Sequence, residues 1–376
     1  MDMNNLAAHI VINKHLRITK KYFNEVVLPS FNYLTSSISP VKKIYDIAGK
    51  TICMNFYSKK LFEKISKAFE HAEKDAATFP DLTICIWDSV STKTHLASPW
   101  LNQEEYTYPG EVNAKTINSD SFLGIYLNGE ETLNMYDEKN NTAYFWIYNA
   151  DNLLYRVSAS PLRSILNWFL SKEGVHLMHG AVVGMNGKSI LLTAKGCSGK
   201  STTALSCLFS GMNYLGDDYI AIKYSDVITT HCIFSSTKLS PQSFHDTFPA
   251  LKDKIWNENG MEKENEKAIV FLSELYPQQV IKTAPLHAIL IPVIKNAEKT
   301  KIVLASKIQT MLSMIPYTLF QLSLTKSNKM AEIKSIVERM PCYFLELGSD
   351  INGVSETIKE FLLNEQQSCK RHHTGI

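Results

Sequence analysis

What most constrains this chain is a change of character between residues 188 and 211. An apolar run, Ile190 to Thr193, leads straight into the turn Ala194-Lys195-Gly196-Cys197-Ser198-Gly199-Lys200-Ser201. From Thr202 to Phe209, apolar residues (Ala204, Leu205, Leu208, Phe209) recur at helical spacing and stop before Gly211. Strand, small-residue turn and helix in that order build a loop that wraps an anion. The strand fixes where the loop starts, and small side chains let backbone N–H groups approach. The helix adds its unsatisfied N-terminal donors and the positive end of its dipole. Residues Ala194 to Thr202 are therefore the expected phosphate ligands, with Lys200 reaching the terminal phosphates and the Ser201 hydroxyl completing a magnesium shell. The pattern G-x-x-x-x-G-K-[ST] has Ala194 at its first glycine. Alanine costs little there if φ stays negative and is disfavoured if φ is positive.

Downstream, Leu215-Gly216-Asp217-Asp218 precedes the apolar Tyr219-Ile220. Adjacent carboxylates on a continuous strand point to opposite faces, so a shared task requires the strand to break, as Gly216 allows. In phosphoryl transfer Asp217 would complete the magnesium environment and Asp218 would accept the proton of an attacking hydroxyl. A solvated Gly-Asp-Asp turn is the plainer alternative. His176 and His179 form an H-x-x-H, but positions three apart on a strand face opposite sides and would not share an ion. His179 is expected on the strand paired with the one feeding the loop, where it could orient the aspartate base. A core histidine with one satisfied hydrogen bond explains it equally well. Cys197 reads as a small loop residue, with no histidine partner to make it a nucleophile.

Composition narrows the classes. Of 376 residues, 45% are hydrophobic and 20% charged, and the net charge is +2, so neither disorder nor a nucleic-acid partner is indicated. Seven cysteines, odd in number and without C-x-x-C spacing, argue for free thiols in a reducing compartment. Neither a signal peptide nor an apolar stretch long enough for a bilayer is evident, so a cytoplasmic location without membrane contact is expected.

Along the chain, His9–Ile12 is strand-like, and Leu61 to Ala72 reads as one amphipathic helix. Leu82–Trp87 reads as a buried strand, 90–118 as an irregular excursion, and Thr132–Tyr136 with Thr142–Tyr148 as a hairpin. Ser160-Pro161 suits the N-cap and first position of a helix through Leu170. Val175–Val183 and Ser189–Thr193 form a second hairpin around Asn186-Gly187. Tyr214–Ile222 reads as a strand interrupted at Gly216–Asp218. Residues 252–267 are charged and aperiodic, a candidate lid with Lys267 over the phosphates. Leu286–Ile294 and Tyr343–Leu347 read as core strands, and Val354–Leu363 as a closing helix. The fold class is α/β. An N-terminal α+β domain over 1–158 would recognise the acceptor, a phosphate-loop domain over 159–365 would do the chemistry, and 366–376 would be a flexible tail.

His179-Gly180-Ala181, Ala194–Ser201 and Leu215–Asp218 together resemble the catalytic domain of the HPr kinase/phosphorylase family, whose fold is related to that of phosphoenolpyruvate carboxykinase. Pro161-Leu162-Arg163 with Trp168, and Leu177–Gly184, resemble the HPr-kinase-like serine kinases that tailor ribosomal peptides such as lasso-peptide precursors. The resemblance runs through 50–365 and is strongest over 160–222. It implies ATP and Mg2+ as cofactors and a peptide or small protein as acceptor, with a homo-oligomer compatible. It also implies phosphate and metal contacts at Lys200 and Ser201, a metal-and-base pair at Asp217 and Asp218, and a histidine beside them at His179. Ala194 departs from the family pattern. The Glu-Arg-Gly signature that classical members carry after the aspartates has no copy here, so HPr itself and phosphorolysis are not carried over. A small-molecule kinase and a nucleotide-dependent ATPase or switch without an acceptor remain the alternatives.

Overall fold

The computed structural model describes residues 15–17, 20–75, 79–96, 121–127, 130–257, 267–322 and 328–371. The strand expected at His9–Ile12, most of the stretch 90–118 and the chain end beyond 371 lie outside the described residues. The chain divides into two units, Met1–Glu173 with Ser323–Ser327 and Gly174–Leu322 with Asn328–Ile376.

The first unit is a seven-stranded mixed sheet. Its strands are β1 (His15–Arg17), β2 (Val41–Ile47), β3 (Lys50–Phe56), β4 (Leu82–Asp88), β5 (Phe122–Leu127), β6 (Thr132–Asp137) and β7 (Thr142–Ile147). They lie in the order β1-β5-β6-β7-β4-β3-β2, with β3, β4 and β7 parallel. The β2–β3 turn at Ala48-Gly49 has both residues at positive φ, the twist a tight hairpin requires. On one face Trp87, Tyr144 and Trp146 are buried with Phe23, Val27 and Leu34. The Trp146 indole N–H donates to Ser89 Oγ at 3.0 Å, satisfying its one polar group.

Two local expectations fail here. The amphipathic run from Leu61 is not one helix: an α-helix over Lys59–Ile65 tightens into a 3₁₀ segment over Ser66–Ala72. Its apolar positions Leu61, Ile65, Ala68, Phe69 and Ala72 are buried nonetheless. Ser160-Pro161 does not cap a helix. Ser160 ends a short helix over Tyr155–Ala159, Leu162 takes a left-handed conformation (φ 58°), and the next helix runs Arg163–Lys172. That helix packs on β6 through Phe169 and Tyr136, ring centroids 6.3 Å apart. It therefore belongs to the first unit, and the division falls at Glu173–Gly174 where the sequence suggested 158–159.

The second unit holds β8 (Val175–His179), β9 (Ala181–Met185), β10 (Lys188–Leu192), β11 (Asn213–Gly216), β12 (Tyr219–Lys223), β13 (Thr229–His231), β14 (Ser236–Leu239), β15 (Ala268–Phe271), β16 (Thr283–Ile294), β17 (Lys301–Leu304) and β18 (Cys342–Leu347). Nine of them form one sheet, ordered β11-β9-β10-β16-β13-β12-β8, with β18 beside β16 and β17 beside β18. Strands β10, β16 and β18 run parallel. β14 and β15 form a separate antiparallel pair.

The expected strand Val175–Val183 is two strands broken at Gly180. A Cβ there would lie 2.8 Å from the carbonyl oxygen of Leu192, so only glycine permits the close approach. β9 pairs β10 around Asn186-Gly187, both at positive φ, while β8 leaves to pair β12. The helices Lys200–Phe209 and Ile351–Arg371 pack together, and the helix Lys307–Gln321 packs on Lys329–Arg339. Ile190, Leu192, Leu205, Leu290, Ile333, Leu345 and Ile358 are buried in one core, each contributing about 1.5–3 kcal/mol. Among the described residues no helix is long and apolar enough to cross a membrane, and Cys53, Cys85, Cys197, Cys207, Cys232 and Cys342 are free.

Candidate active site at the strand ends

β10 ends at Leu192 and the chain turns through Ala194–Gly199 into the helix Lys200–Phe209. The turn needs two left-handed residues, Cys197 at φ 58° and Gly199 at φ 93°. Gly199 is also pinned by packing, since a Cβ there would meet Leu347 Cδ1 at 2.6 Å. Ala194 is buried and is not at positive φ, so the missing first glycine costs the loop no strain. No side chain caps the helix, which leaves its first N–H groups to the loop interior. The buried hydroxyls of Thr193 and Ser198 have no hydrogen-bond partner among the described residues. At the mouth of the loop these hydroxyls are placed to bond a ligand or water.

Lys200 differs from expectation. It is buried, 7% exposed, and its ammonium donates to the carbonyl oxygens of Ala194 at 2.8 Å and Lys195 at 3.0 Å. Burial lowers its pKa, and Asp217 and Asp218 partly offset that.

β11 ends at Gly216 (φ 131°), Asp218 is left-handed at φ 73°, and β12 starts at Tyr219. This break brings the two carboxylates together. Asp217 is buried; it accepts from its neighbour's backbone, Asp218 N–H, at 2.9 Å and from Thr237 Oγ1 at 3.1 Å. The Ser201 hydroxyl lies close enough to favour its charged form. Burial raises the Asp217 pKa first, Asp218 raises it further, and Ser201 and Lys200 pull against them. Asp218 behaves oppositely. Burial pushes its carboxyl up, but Lys238, His179 and Lys267 outweigh it and hold the group below the usual carboxylate range. Lys238 Nζ forms an ion pair with Asp218 Oδ2.

His179 reaches this pair by a different route from the expected one. Its strand does not pair with the loop strand. β8 pairs β12, with His179 opposite Tyr219, and the Gly180 N–H donates to the Asp218 carbonyl at 3.2 Å. The imidazole Nδ1 lies 3.4 Å from Asp218 Oδ1. Burial lowers the His179 pKa to about 4; Asp218 works upward against it, and Lys200, Lys238 and Lys267 add to the lowering. His179 is therefore neutral at pH 7. His176 faces elsewhere, with Nδ1 2.9 Å from Glu332 Oε1, as the strand alternation required.

The structure thus brings Lys200, Ser201, Asp217, Asp218 and His179 into one cluster, while Cys197 is exposed on the loop. Lys238 and Thr237 complete the cluster and were not singled out from the sequence. The signal was a lysine inside Ser235–Leu239, a short run ahead of the helix cap Ser240-Pro241. Lys267 is exposed at the start of β15, yet its charge acts on Lys200, Asp218 and His179. Of the candidate lid, Pro249–Lys254 is a 3₁₀ segment and residues 258–266 lie outside the described residues.

The donor set fits a magnesium ion held with phosphate. Magnesium takes one or two carboxylates and completes its octahedron with phosphate and water. No group of three or more His, Cys, Asp or Glu suited to a tighter metal site occurs among the described residues. Asp217, buried with a raised pKa beside the loop serine, is a group that a cation would keep ionised.

No family model matches the chain, and no curated relative does. Among solved structures, one matching chain is the Hpr(Ser) kinase/phosphatase from Coxiella burnetii, at 11% identity and a TM-score of 0.30, covering 53% of this chain and 97% of that one. An overlay that loose carries no argument about the present chain, whose site rests on its own geometry.

Proposed function

We propose that the second unit is an ATP- and magnesium-dependent phosphotransferase acting on a serine-type hydroxyl of a peptide or small protein, as in the tailoring of a ribosomal peptide precursor. The observation that carries this reading is the split pair Asp217 and Asp218 beside Lys200 and Ser201. One carboxylate is buried against the loop serine and suits a metal. The other is held ionised by cations and faces a neutral histidine. A bare nucleotide switch has no need of the second. When bound, magnesium would neutralise charge on the phosphates between Ser201 and Asp217. The chain's own residues do the rest. The loop amides and Lys200 hold the phosphates, Lys238 and Lys267 add positive charge, and Asp218 accepts the hydroxyl proton. His179, neutral and 3.4 Å away, orients that carboxylate. Proton acceptance by Asp218 strengthens if Lys238 leaves it for the phosphate, because its main compensating charge then goes.

Incubation of the protein with Mg·ATP and a panel of serine-containing peptides, read by mass spectrometry, tests the reading. A phosphate mass added at serine is expected. Free phosphate released at one rate with and without every peptide would replace the kinase by an ATPase.

A further inference from the structure

A concavity opens beside the loop helix, within the same unit. It is a cleft of about 210 Å³, and its wall is largely apolar: Ile294, Leu347, Ile351 and Val354, with Thr202, Thr203, Ser206 and Ser349 at its polar points. Ile294 and Leu347 are the last residues of the parallel strands β16 and β18. In open sheets with parallel strands, ligands sit beyond the carboxyl ends of those strands. The cleft is too small for a whole nucleotide, since ligand pockets usually enclose about 300–1,000 Å³, but it is the right order for a ring system whose phosphates lie outside it. Thr202 follows Ser201 on the first turn of the loop helix. Because successive helical residues are about 100° apart, Thr202 leads away from the aspartates toward this cleft.

Rotating a ligand's phosphates onto the loop therefore places its other end here. We infer that this cleft receives the nucleobase and that it does so without distinguishing adenine from guanine. The inference rests on the phosphate-loop reading above and adds the specificity of that site.

The indifference follows from where the donors are spent. The N–H of Gly348 donates to Thr300 Oγ1 at 3.1 Å, that of Ser349 to the Ala297 carbonyl at 3.0 Å, and that of Asp350 to the Glu298 carbonyl at 3.2 Å. The loop after β18 is zipped to residues 297–300, and these three N–H groups are spent before any base edge arrives. Gly348 is locked in that position, since a Cβ would sit 2.1 Å from the Glu298 carbonyl oxygen. The Ser206 hydroxyl donates to the Ile351 carbonyl at 2.8 Å. That leaves the Thr202, Thr203 and Ser349 hydroxyls, and a hydroxyl donates or accepts as its partner demands. Adenine and guanine differ in which edge atoms donate. A site that reads them needs a fixed donor or acceptor, and the cleft lining contains no amide, acid or guanidinium side chain.

Calorimetric titration of the full chain decides this, using Mg·ATP, Mg·GTP and magnesium tripolyphosphate on the wild type and on Ser349→Trp and Ile294→Trp. Ser349 is exposed and Ile294 is 66% exposed, so a larger side chain at either fills the cleft without disturbing the core. ATP and GTP are expected to bind within about tenfold of one another, the scale of one adaptable hydrogen bond. Tripolyphosphate should bind more weakly than ATP. Each variant should lose about tenfold in ATP and GTP affinity, a side chain's worth of apolar contact, and keep tripolyphosphate affinity unchanged. Wild-type ATP affinity in both variants overturns the cleft as the base site, and a preference beyond about a hundredfold between ATP and GTP overturns its indifference. If tripolyphosphate and ATP both fail to bind the wild type, the phosphate-loop reading falls and the base site with it.

Discussion

At the scale of the residue, the site is governed by charges that burial would otherwise disfavour. His179 has a folded pKa lowered to about 4 from an ordinary 6.5. Between those values the unfolded chain binds more protons than the folded one, so stability is lost as pH falls from 6.5 toward 4. His179→Gln should flatten the melting temperature across that window, while wild type loses up to a few kcal/mol through it. Asp218, also lowered, has the same sign in a more acidic window. Its depressed pKa contributes stability above the ordinary carboxylate value, and that contribution disappears as pH falls through the folded value. Lys238→Met removes the largest compensating charge and should move the acid edge of both stability and turnover upward in pH. Two-dimensional NMR of the Asp218 carboxyl reads the same shift directly. Asp218→Asn should retain Mg·nucleotide binding and lose transfer by ~10²–10⁴-fold, the usual range for a proton-accepting group. A mutant with near wild-type transfer would place the base elsewhere.

At the scale of the element, glycines decide where strands break, and the breaks build the site. Gly180→Ala puts a methyl against the Leu192 carbonyl 2.8 Å away, so it should cost about 1–3 kcal/mol and pull His179 away from Asp218. Ala194→Gly tests the opposite case. Because Ala194 does not use positive φ, restoring the usual glycine should leave nucleotide affinity unchanged and lower stability by about 0.4–1 kcal/mol through the freer unfolded chain. Much of this was legible in the sequence. The loop, the broken strand at Gly216–Asp218 and the turn at Asn186-Gly187 are local chemistry, and local chemistry is what a sequence states. Gly180 was quoted but its break was not read, because Val175–Val183 alternates well enough for one strand and only the distant Leu192 carbonyl forbids it. The helix Lys307–Gln321 went unread because Pro316 interrupts its pattern, although Ser306 and Gln309 spell a capping box. Lys238 went unread because its partner, Asp218, lies 20 residues back in the chain and β14 pairs β15 rather than the strands flanking Asp218.

At the scale of the whole molecule, the division at Glu173–Gly174 has a direct consequence for fragments. A fragment starting at Ser158 would carry the helix Arg163–Lys172 without the sheet that covers Ile165, Leu166, Trp168 and Phe169, all buried in the intact chain. It should aggregate, whereas one starting at Gly174 should stay dispersed and gain thermal stability with Mg·ATP; light scattering and melting curves separate the two. Equal solubility would mean that the helix needs no such cover. The composition suggested two domains, but the handover between them hung on whether one apolar helix faced forward or back, and periodicity is silent on that. The ammonium of Lys200, already bonded to the carbonyls of Ala194 and Lys195, gives the resting protein one more property. A cation so occupied is indifferent to a lone orthophosphate or sulfate, which could replace those two bonds but add little. A triphosphate, touching the loop amides and Lys238 as well, would gain enough contacts at once to draw the lysine out, so orthophosphate and sulfate are expected to compete poorly with it.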